Sequence, residues 1–174
     1  MTAKIYRRAL IMPNLTPPVV DAAMAGRYKR DILAAARAPH DADGALTSFE
    51  PLMTCYLTDR TTPADVEAAA AAGVVAFKLY PAGATTNSDS GVTDVAAPSV
   101  GAALRAMDAA GLVLCVHGEV TRPEVDVFDR EATFVREVLP RVLDHCPTLR
   151  QVDVRVAMPR APRCLRHLTC PASP

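Results

Sequence analysis

Two residues that can take part in metal chemistry stand at the ends of two apolar segments in the middle of the chain. Lys78 follows the apolar run 74–77, and His117 follows the apolar run 112–116. Such runs are typical of strands that are buried on both faces of a parallel sheet. A lysine at this position loses hydration, which is costly without a partner. The two residues together predict an active site at the carboxyl ends of successive strands.

Lys78 has three interpretations that the residues alone leave open. Its stem can pack on the sheet while the amine reaches a carboxylate, which is the commonest arrangement. It can also serve as a Schiff-base nucleophile. In the third interpretation a neutral amine captures CO2 and becomes an anionic oxygen ligand that bridges two metal ions. That chemistry needs histidines nearby, and His117 is suitable, although a hydrogen-bonded core histidine is the more common outcome.

The segment after Lys78 has the composition of a loop that closes over a substrate. Residues 81–91 are rich in Gly, Thr, Asn and Ser, and they include the pair Thr85 and Thr86. We predict a lid whose threonines hydrogen-bond a substrate, with an ordinary flexible connection as the alternative. Asn14, which follows the first predicted strand, can present its amide to a carboxylate or amide substrate, or it is a turn residue before prolines.

The elements that must position these residues alternate between strand and helix. Predicted strands cover 4–13, 51–58, 74–78 and 112–117, and predicted helices cover 17–37, 62–73, 98–110 and 128–143. Thr62 is the expected N-cap of the second helix, and Gly73 its expected C-cap. The last helix is expected to bury one face, formed by Phe128, Val135, Val138, Leu139, Val142 and Leu143. Val152, Val154 and Val156 alternate with polar residues and can form one further short strand.

Four βα units predict an α/β fold, and both a doubly wound sheet and half of a TIM barrel match that count. In both architectures functional groups collect beyond the carboxyl ends of the strands. Asn14, Thr58 and the ranges 78–80 and 117–119 all fall there. The other histidines lie in a polar loop, near a helix end and in the C-terminal segment, and we do not expect them to bind metal: His40, His145 and His167.

Composition limits the classes of function. The 174 residues are half apolar and carry a formal net charge of zero, which is typical of one soluble domain. Neither a basic excess nor many aromatic residues are present, so we expect no nucleic-acid partner. No apolar run reaches the length of a membrane span, so we expect no membrane partner. Five cysteines without a CxxC pair predict free thiols in a reducing compartment.

Five segments of the chain closely resemble the dihydroorotases, amidohydrolase-superfamily enzymes of pyrimidine biosynthesis, in their shorter monofunctional form. They are MPNLTPP at 12–18, PLMTCYLT at 51–58, KLYPAGATTNS at 78–88, VHGEVT at 116–121 and FDRE at 128–131. The resemblance covers roughly residues 9–150. It implies that residues 1–150 form part of a TIM-type (β/α)8 barrel.

The resemblance also implies roles for the candidate residues. Lys78 would be a carbamylated ligand that bridges two zinc ions, and His117 would bind the second zinc and contact the substrate. Asn14 would contact the substrate carboxylate, while the loop with Thr85 and Thr86 would close over it. The implied reaction is the reversible cyclisation of N-carbamoyl-L-aspartate to dihydroorotate, a small-molecule reaction. The full-length family is expected to form homodimers in the cytoplasm, or in an organelle where a targeting peptide precedes the chain.

The sequence also departs from the family pattern. We find no counterpart of the family's His-x-His pair, its substrate-binding Arg, its later His or its Asp, and we therefore expect this chain to be inactive alone. Residues 151–174 are expected to form an aberrant, disordered tail, such as a shifted reading frame or a retained intron would produce. The alternatives are a non-catalytic barrel fragment or pseudoenzyme that acts by association, and another cyclic-amide hydrolase.

Overall fold

Five parallel strands form a single sheet in the computed structural model, which describes residues 5–36 and 49–146 in full and residues 152–155 by their backbone. The strands are β1 (Arg8–Ile11), β2 (Glu50–Leu57), β3 (Ala76–Leu79), β4 (Val113–His117) and β5 (Val152–Arg155). Their spatial order is the order of the sequence, and every neighbouring pair is parallel. A doubly wound sheet reverses its strand order at a switch point, whereas a barrel does not. The sheet is therefore part of a barrel, and the doubly wound alternative is wrong.

Helices follow the strands as the sequence predicts, with shifted ends. They are α1 (Ala22–Ala36), α2 (Pro63–Ala71), α3 (Pro98–Ala109), α4 (Arg130–Thr133) and α5 (Leu139–His145), with a 3-10 turn at Val127–Asp129 and a π-helical turn at Phe134–Val138. The predicted N-cap of α2 is confirmed, because Thr62 and Asp65 form a reciprocal capping box. The C-cap is Ala72 rather than the predicted Gly73, which follows it with φ of 81°. Helix α1 begins later than predicted because the Asp21 carboxylate accepts a hydrogen bond from Met24 N at 2.7 Å and so caps the helix there.

The outer face of the sheet forms the hydrophobic core with the helices. Its side chains alternate along β2, β3 and β4 and are almost fully buried: Met53, Cys55, Leu57, Phe77, Leu79, Leu114 and Val116. Apolar residues of the helices complete the same cluster, among them Val66, Val100, Leu104, Met107 and Val142. The opposite set of alternating positions faces the inside of the curled sheet, and it contains Lys78.

The predicted apolar face of the last helix is partly wrong. Phe128 is 92% exposed, because the helix begins only at Arg130 and Phe128 lies in the preceding 3-10 turn. Asp126 fixes that turn by accepting a hydrogen bond from Phe128 N at 2.9 Å. Val135 and Leu139 on the same predicted face are buried, as expected.

The predicted strand after residue 151 is present as β5, which pairs with β4. His40, His167, Cys164, Cys170 and the predicted tail beyond residue 155 lie outside the described residues. The described cysteines are free thiols and are buried, in agreement with prediction: Cys55, Cys115 and Cys146. Among the described residues, no helix is both long and apolar enough to cross a membrane.

Candidate active site

The inner face of the sheet carries a row of polar side chains that is nearly closed to solvent. Tyr56 of β2, Lys78 of β3 and Cys115 of β4 occupy paired register positions on three adjacent strands. Their exposed fractions are 0%, 6% and 3%. Since side chains alternate between the two faces of a strand, the next inward positions belong to Tyr80 and His117. The candidates Lys78 and His117 therefore share one face at the carboxyl end of the sheet.

Tyr80 contacts both candidate ligands. The Lys78 Nζ atom is 5.1 Å from the centroid of the Tyr80 ring, and the centroids of the Tyr80 and His117 rings are 5.9 Å apart. On its other side Tyr80 contacts Tyr56, with ring centroids 5.1 Å apart. The ring of Tyr80 thus joins Lys78, His117 and Tyr56 in one continuous cluster. An ammonium over an aromatic face is stabilised by the ring quadrupole.

Burial keeps the phenols of this cluster neutral. It is the main reason why the pKa of Tyr56 is raised to about 12, with smaller contributions in the same direction from Tyr80 and Asp89. Burial is also the main cause of the raised pKa of Tyr80, with a smaller contribution from Cys115. At neutral pH both rings therefore retain their protons, and they surround Lys78 with weakly polar rather than anionic groups.

His117 ends β4 and is held by a residue two positions further along. Its Nε2 atom is hydrogen-bonded to Glu119 Oε1, and Glu119 N donates a hydrogen bond to His117 O at 3.2 Å. The turn around Gly118 brings both side chains to the same side of the chain. The side chains of His117 and Glu119 are 29% and 22% exposed, so this ring stands at the border between the buried cluster and solvent.

The loop after Lys78 folds back on itself and on Asn14. Asn14 Nδ2 donates to Thr86 O at 3.5 Å, and Asn87 Nδ2 donates to Asn14 O at 3.2 Å. The Tyr56 hydroxyl donates to Asn87 O at 3.4 Å, which connects the loop to the inner face of the sheet. The side chains of Thr85 and Thr86 themselves are exposed. The structure therefore places Asn14 and the threonine pair together, above the cluster that contains Lys78.

The base of this loop is closed by backbone hydrogen bonds and a glycine. Ala82 N donates to Val92 O at 3.0 Å, and Val92 N donates to Tyr80 O at 2.8 Å. A Cβ atom on Gly91 would lie 2.4 Å from Tyr80 O, closer than real contacts allow. Asp59 holds the chain just after the loop, since its carboxylate accepts hydrogen bonds from Thr93 N at 3.0 Å and Thr93 Oγ1 at 2.7 Å. The loop is compact, with its two ends close together.

Known proteins with similar sequences are dihydroorotases. The dihydroorotase of Pseudomonas putida (strain GB-1) is 55% identical over 151 residues, which make up 86% of this chain and 41% of that protein. The dihydroorotase of Alkalilimnicola ehrlichii is 54% identical over 167 residues, which make up 95% of this chain and 46% of that protein. The chain thus spans less than half the length of these relatives. No protein-family model matches it.

Solved structures agree with the sequence relatives. The dihydroorotase of Campylobacter jejuni superposes with a TM-score of 0.75 at 30% identity, over 96% of this chain and 44% of that chain. The dihydroorotase of Saccharomyces cerevisiae, solved in complex with 5-fluoroorotic acid, gives a TM-score of 0.68 at 31% identity over 87% of this chain. This chain is a homologue of part of dihydroorotase.

The similarity to dihydroorotases raises the question of whether the residues of this site could bind a metal ion. Lys78 is buried at the carboxyl end of β3, and its amine is the group on which a carbamate ligand would form. In His117 one ring nitrogen is engaged by Glu119, and the other is suited to a metal. Both residues therefore fit as zinc ligands. Within the described residues, however, no group of three or more His, Cys, Asp and Glu side chains could hold a metal ion.

Sequence reasoning gave no role to four residues of the candidate site. They are Tyr56, Tyr80, Asp59 and Glu119. Tyr56 and Tyr80 could have been found from strand alternation, because they fall on the same face as Lys78 once the register is known. Glu119 had a local signal, a carboxylate two residues beyond a histidine across a glycine. Asp59 had none, because its partner Thr93 is distant in sequence.

Proposed function

We propose that this chain contributes part of a dihydroorotase active site, which interconverts N-carbamoyl-L-aspartate and dihydroorotate in pyrimidine biosynthesis. The observation that carries the proposal is the buried cluster Lys78–Tyr80–His117 at the carboxyl ends of β3 and β4. It stands on a barrel-type sheet, where active sites lie at this end. The high identity to dihydroorotases over most of the chain supports the same reaction.

Lys78 and His117 are the proposed zinc ligands. The Lys78 amine would attack CO2 and lose a proton, and the anionic carbamate so formed would supply oxygen ligands to the metal. Zinc bound there would polarise the amide carbonyl of the substrate and lower the pKa of water. Zinc takes about four ligands at each ion, and Lys78 and His117 are two residues. We therefore propose that tight zinc binding needs further ligands, and that this polypeptide alone has little activity.

The substrate is an acidic small molecule, and the loop supplies groups suited to it. We propose that the Asn14 amide donates to a substrate carboxylate and that Thr85 and Thr86 hydrogen-bond it from above. Asn14 already contacts the loop backbone at Thr86, so closure of the loop would bring both sets of donors together. This cover would also exclude water from the reacting amide. The buried free thiols favour a reducing compartment, the cytoplasm.

Zinc content and turnover test the proposal on the purified chain. We expect less than two equivalents of bound zinc, weak hydrolysis of dihydroorotate, and loss of both in Lys78→Ala and His117→Ala. Lys29→Ala, a lysine on helix α1, is the matched control and should behave like the wild type. Two equivalents of tightly held zinc with full turnover would contradict the need for further ligands. A wild type with neither zinc nor turnover would favour a non-catalytic role by association.

A further inference from the structure

We infer that Glu119 is a positioning residue for His117: its carboxylate keeps the imidazole proton on Nε2 and so leaves Nδ1 as the ring nitrogen that binds metal. The inference rests on the proposed metal role of His117. The contact that carries it, between Glu119 Oε1 and His117 Nε2, is part of the fold itself. It can therefore be tested whether or not zinc is bound.

The direction of the hydrogen bond follows from the chemistry of the two groups. A carboxylate only accepts hydrogen bonds, so the ring nitrogen that faces Glu119 must carry a proton. A neutral imidazole has one protonated nitrogen and one with a lone pair. With the proton of His117 held on Nε2, the lone pair is on Nδ1. A metal ion binds a ring nitrogen through that lone pair, so Glu119 selects Nδ1.

Local backbone geometry makes this contact more than a chance approach of two side chains. The hydrogen bond from Glu119 N to His117 O at 3.2 Å closes a tight turn around Gly118. This turn directs the side chains of residues 117 and 119 to the same side. Both are more than two-thirds buried, which limits competition from water for the ring proton.

The ring of His117 is fixed by a second neighbour. Tyr80 contacts it with ring centroids 5.9 Å apart and an interplanar angle of 33°. Tyr80 in turn is 5.1 Å from Lys78 Nζ. The imidazole is therefore held by a carboxylate at Nε2 and by an aromatic surface that also contacts the other proposed ligand. Ligand histidines generally donate their second N–H to an oxygen acceptor, which fixes the tautomer and raises ligand basicity.

The tautomer of His117 is the direct readout. Nitrogen-15 spectra of the ring, recorded on the metal-free chain at a pH where the ring is neutral, distinguish the two tautomers. The His117 signals are assigned by their loss in His117→Gln. We expect only the Nε2-protonated form in the wild type and a mixture of both tautomers in Glu119→Ala. Glu119→Gln should keep the wild-type form, because its amide oxygen still accepts the proton.

Glu124→Ala is the matched control, since it removes a carboxylate that is 67% exposed and pairs with Arg122. It should leave the tautomer unchanged. Zinc affinity, measured by competition with a chromophoric chelator, is the second readout. We expect Glu119→Ala to weaken it about 10- to 100-fold and Glu119→Gln to weaken it less. Neither readout depends on enzyme turnover.

The outcomes separate this inference from the proposed function. An unchanged tautomer ratio in Glu119→Ala, or a wild type with its proton on Nδ1, would overturn the positioning role. So would zinc affinity that is equal in the wild type and Glu119→Ala. A changed tautomer in a chain that binds no zinc would support the control of the ring by Glu119 and count against the metal role of His117. If Glu119→Ala does not fold, Glu119→Gln serves as the test instead. We expect it to keep the Nε2-protonated form, and loss of that form would overturn the positioning role.

Discussion

The two faces of the same sheet are built from neighbouring residues but follow different rules. Phe77 and Leu79 of β3 point outward into a core of apolar side chains, where burial stabilises the fold. Lys78, between them, points inward to a cluster with Tyr80, whose polar groups lose hydration on burial. The outer face is explained by stability alone. The inner face is not, and this difference marks it as the functional side.

The largest loss of stability is expected for a substitution on the outer face of the sheet. Phe77→Ala should lower the free energy of unfolding by about 3–5 kcal/mol, because it removes a fully buried ring and leaves a cavity. Phe128→Ala is the matched control, since the same change at a 92% exposed ring should cost less than about 0.5 kcal/mol. Urea denaturation measures both. Equal losses would show that burial does not distinguish these positions.

The loop that covers the inner face should be sensitive at its base. Gly91→Ala should cost about 1–3 kcal/mol, because the added methyl group would overlap Tyr80 O and Ser88 O and force the backbone apart. The control is Gly26→Ala in helix α1, where the nearest atom, Arg30 Nη1, is 3.7 Å away. That change should stabilise the chain by about 0.5–1 kcal/mol. Thermal unfolding of the two variants should move in opposite directions, and parallel shifts would contradict the expected clash.

On the inner face a ligand substitution should spare the fold. Lys78→Met keeps the length of the side chain and removes the buried amine, so the free energy of unfolding should change by less than about 1.5 kcal/mol. Carbamate formation, detected with carbon-13-labelled bicarbonate by NMR, should disappear. Lys29→Met is the control and should leave that signal intact. If Lys78→Met instead lost about 3 kcal/mol or more, Lys78 would be a structural residue of the fold.

Alkaline pH should distinguish Tyr56 from its surroundings. Burial raises its pKa from 10.0 to about 12 in the folded chain. A group with a raised folded pKa contributes stability that is fully present below pH 10.0 and is lost as the pH rises through about 12. Tyr56→Phe should therefore flatten the loss of stability in this window, as measured by urea denaturation at successive pH values. An unchanged slope would assign that loss to other groups, such as Cys55, whose pKa burial also raises to about 12.

Much of the fold could be predicted because its signals are local. The N-cap Thr62 depends only on nearby residues and is found as expected, and Gly73, with φ of 81°, directly follows the C-cap Ala72. The apolar runs before Lys78 and His117 also gave β3 and β4 correctly, apart from small shifts at their ends. The prediction that Phe128 is buried was wrong, because the helical spacing of apolar residues continues past the point where the helix begins. Asp126 determines that point by accepting a hydrogen bond from Phe128 N.

Only part of the candidate site could be predicted, because some of its contacts are local in sequence and others are not. Strand ends identify Lys78 and His117, since a costly polar residue after an apolar run is visible in the sequence. The contact of Tyr56 with Asn87 and that of Asp59 with Thr93 join residues far apart in the chain. Such contacts depend on register and loop path, and no local pattern encodes either.

The sequence by itself determined the alternation of strands and helices, the helix caps and the two residues most capable of metal chemistry. Hydrophobic periodicity and capping act between neighbours, so they can be identified without a structure. The alternation of elements left a barrel and a doubly wound sheet open, and the tertiary structure decided between them, since strand order is a property of long-range pairing. It alone placed Tyr80 in contact with both Lys78 and His117 and brought Glu119 to Nε2 of the imidazole. Ring orientation is set by packing around the side chain, which is why the choice of metal-binding nitrogen could not be read from the sequence.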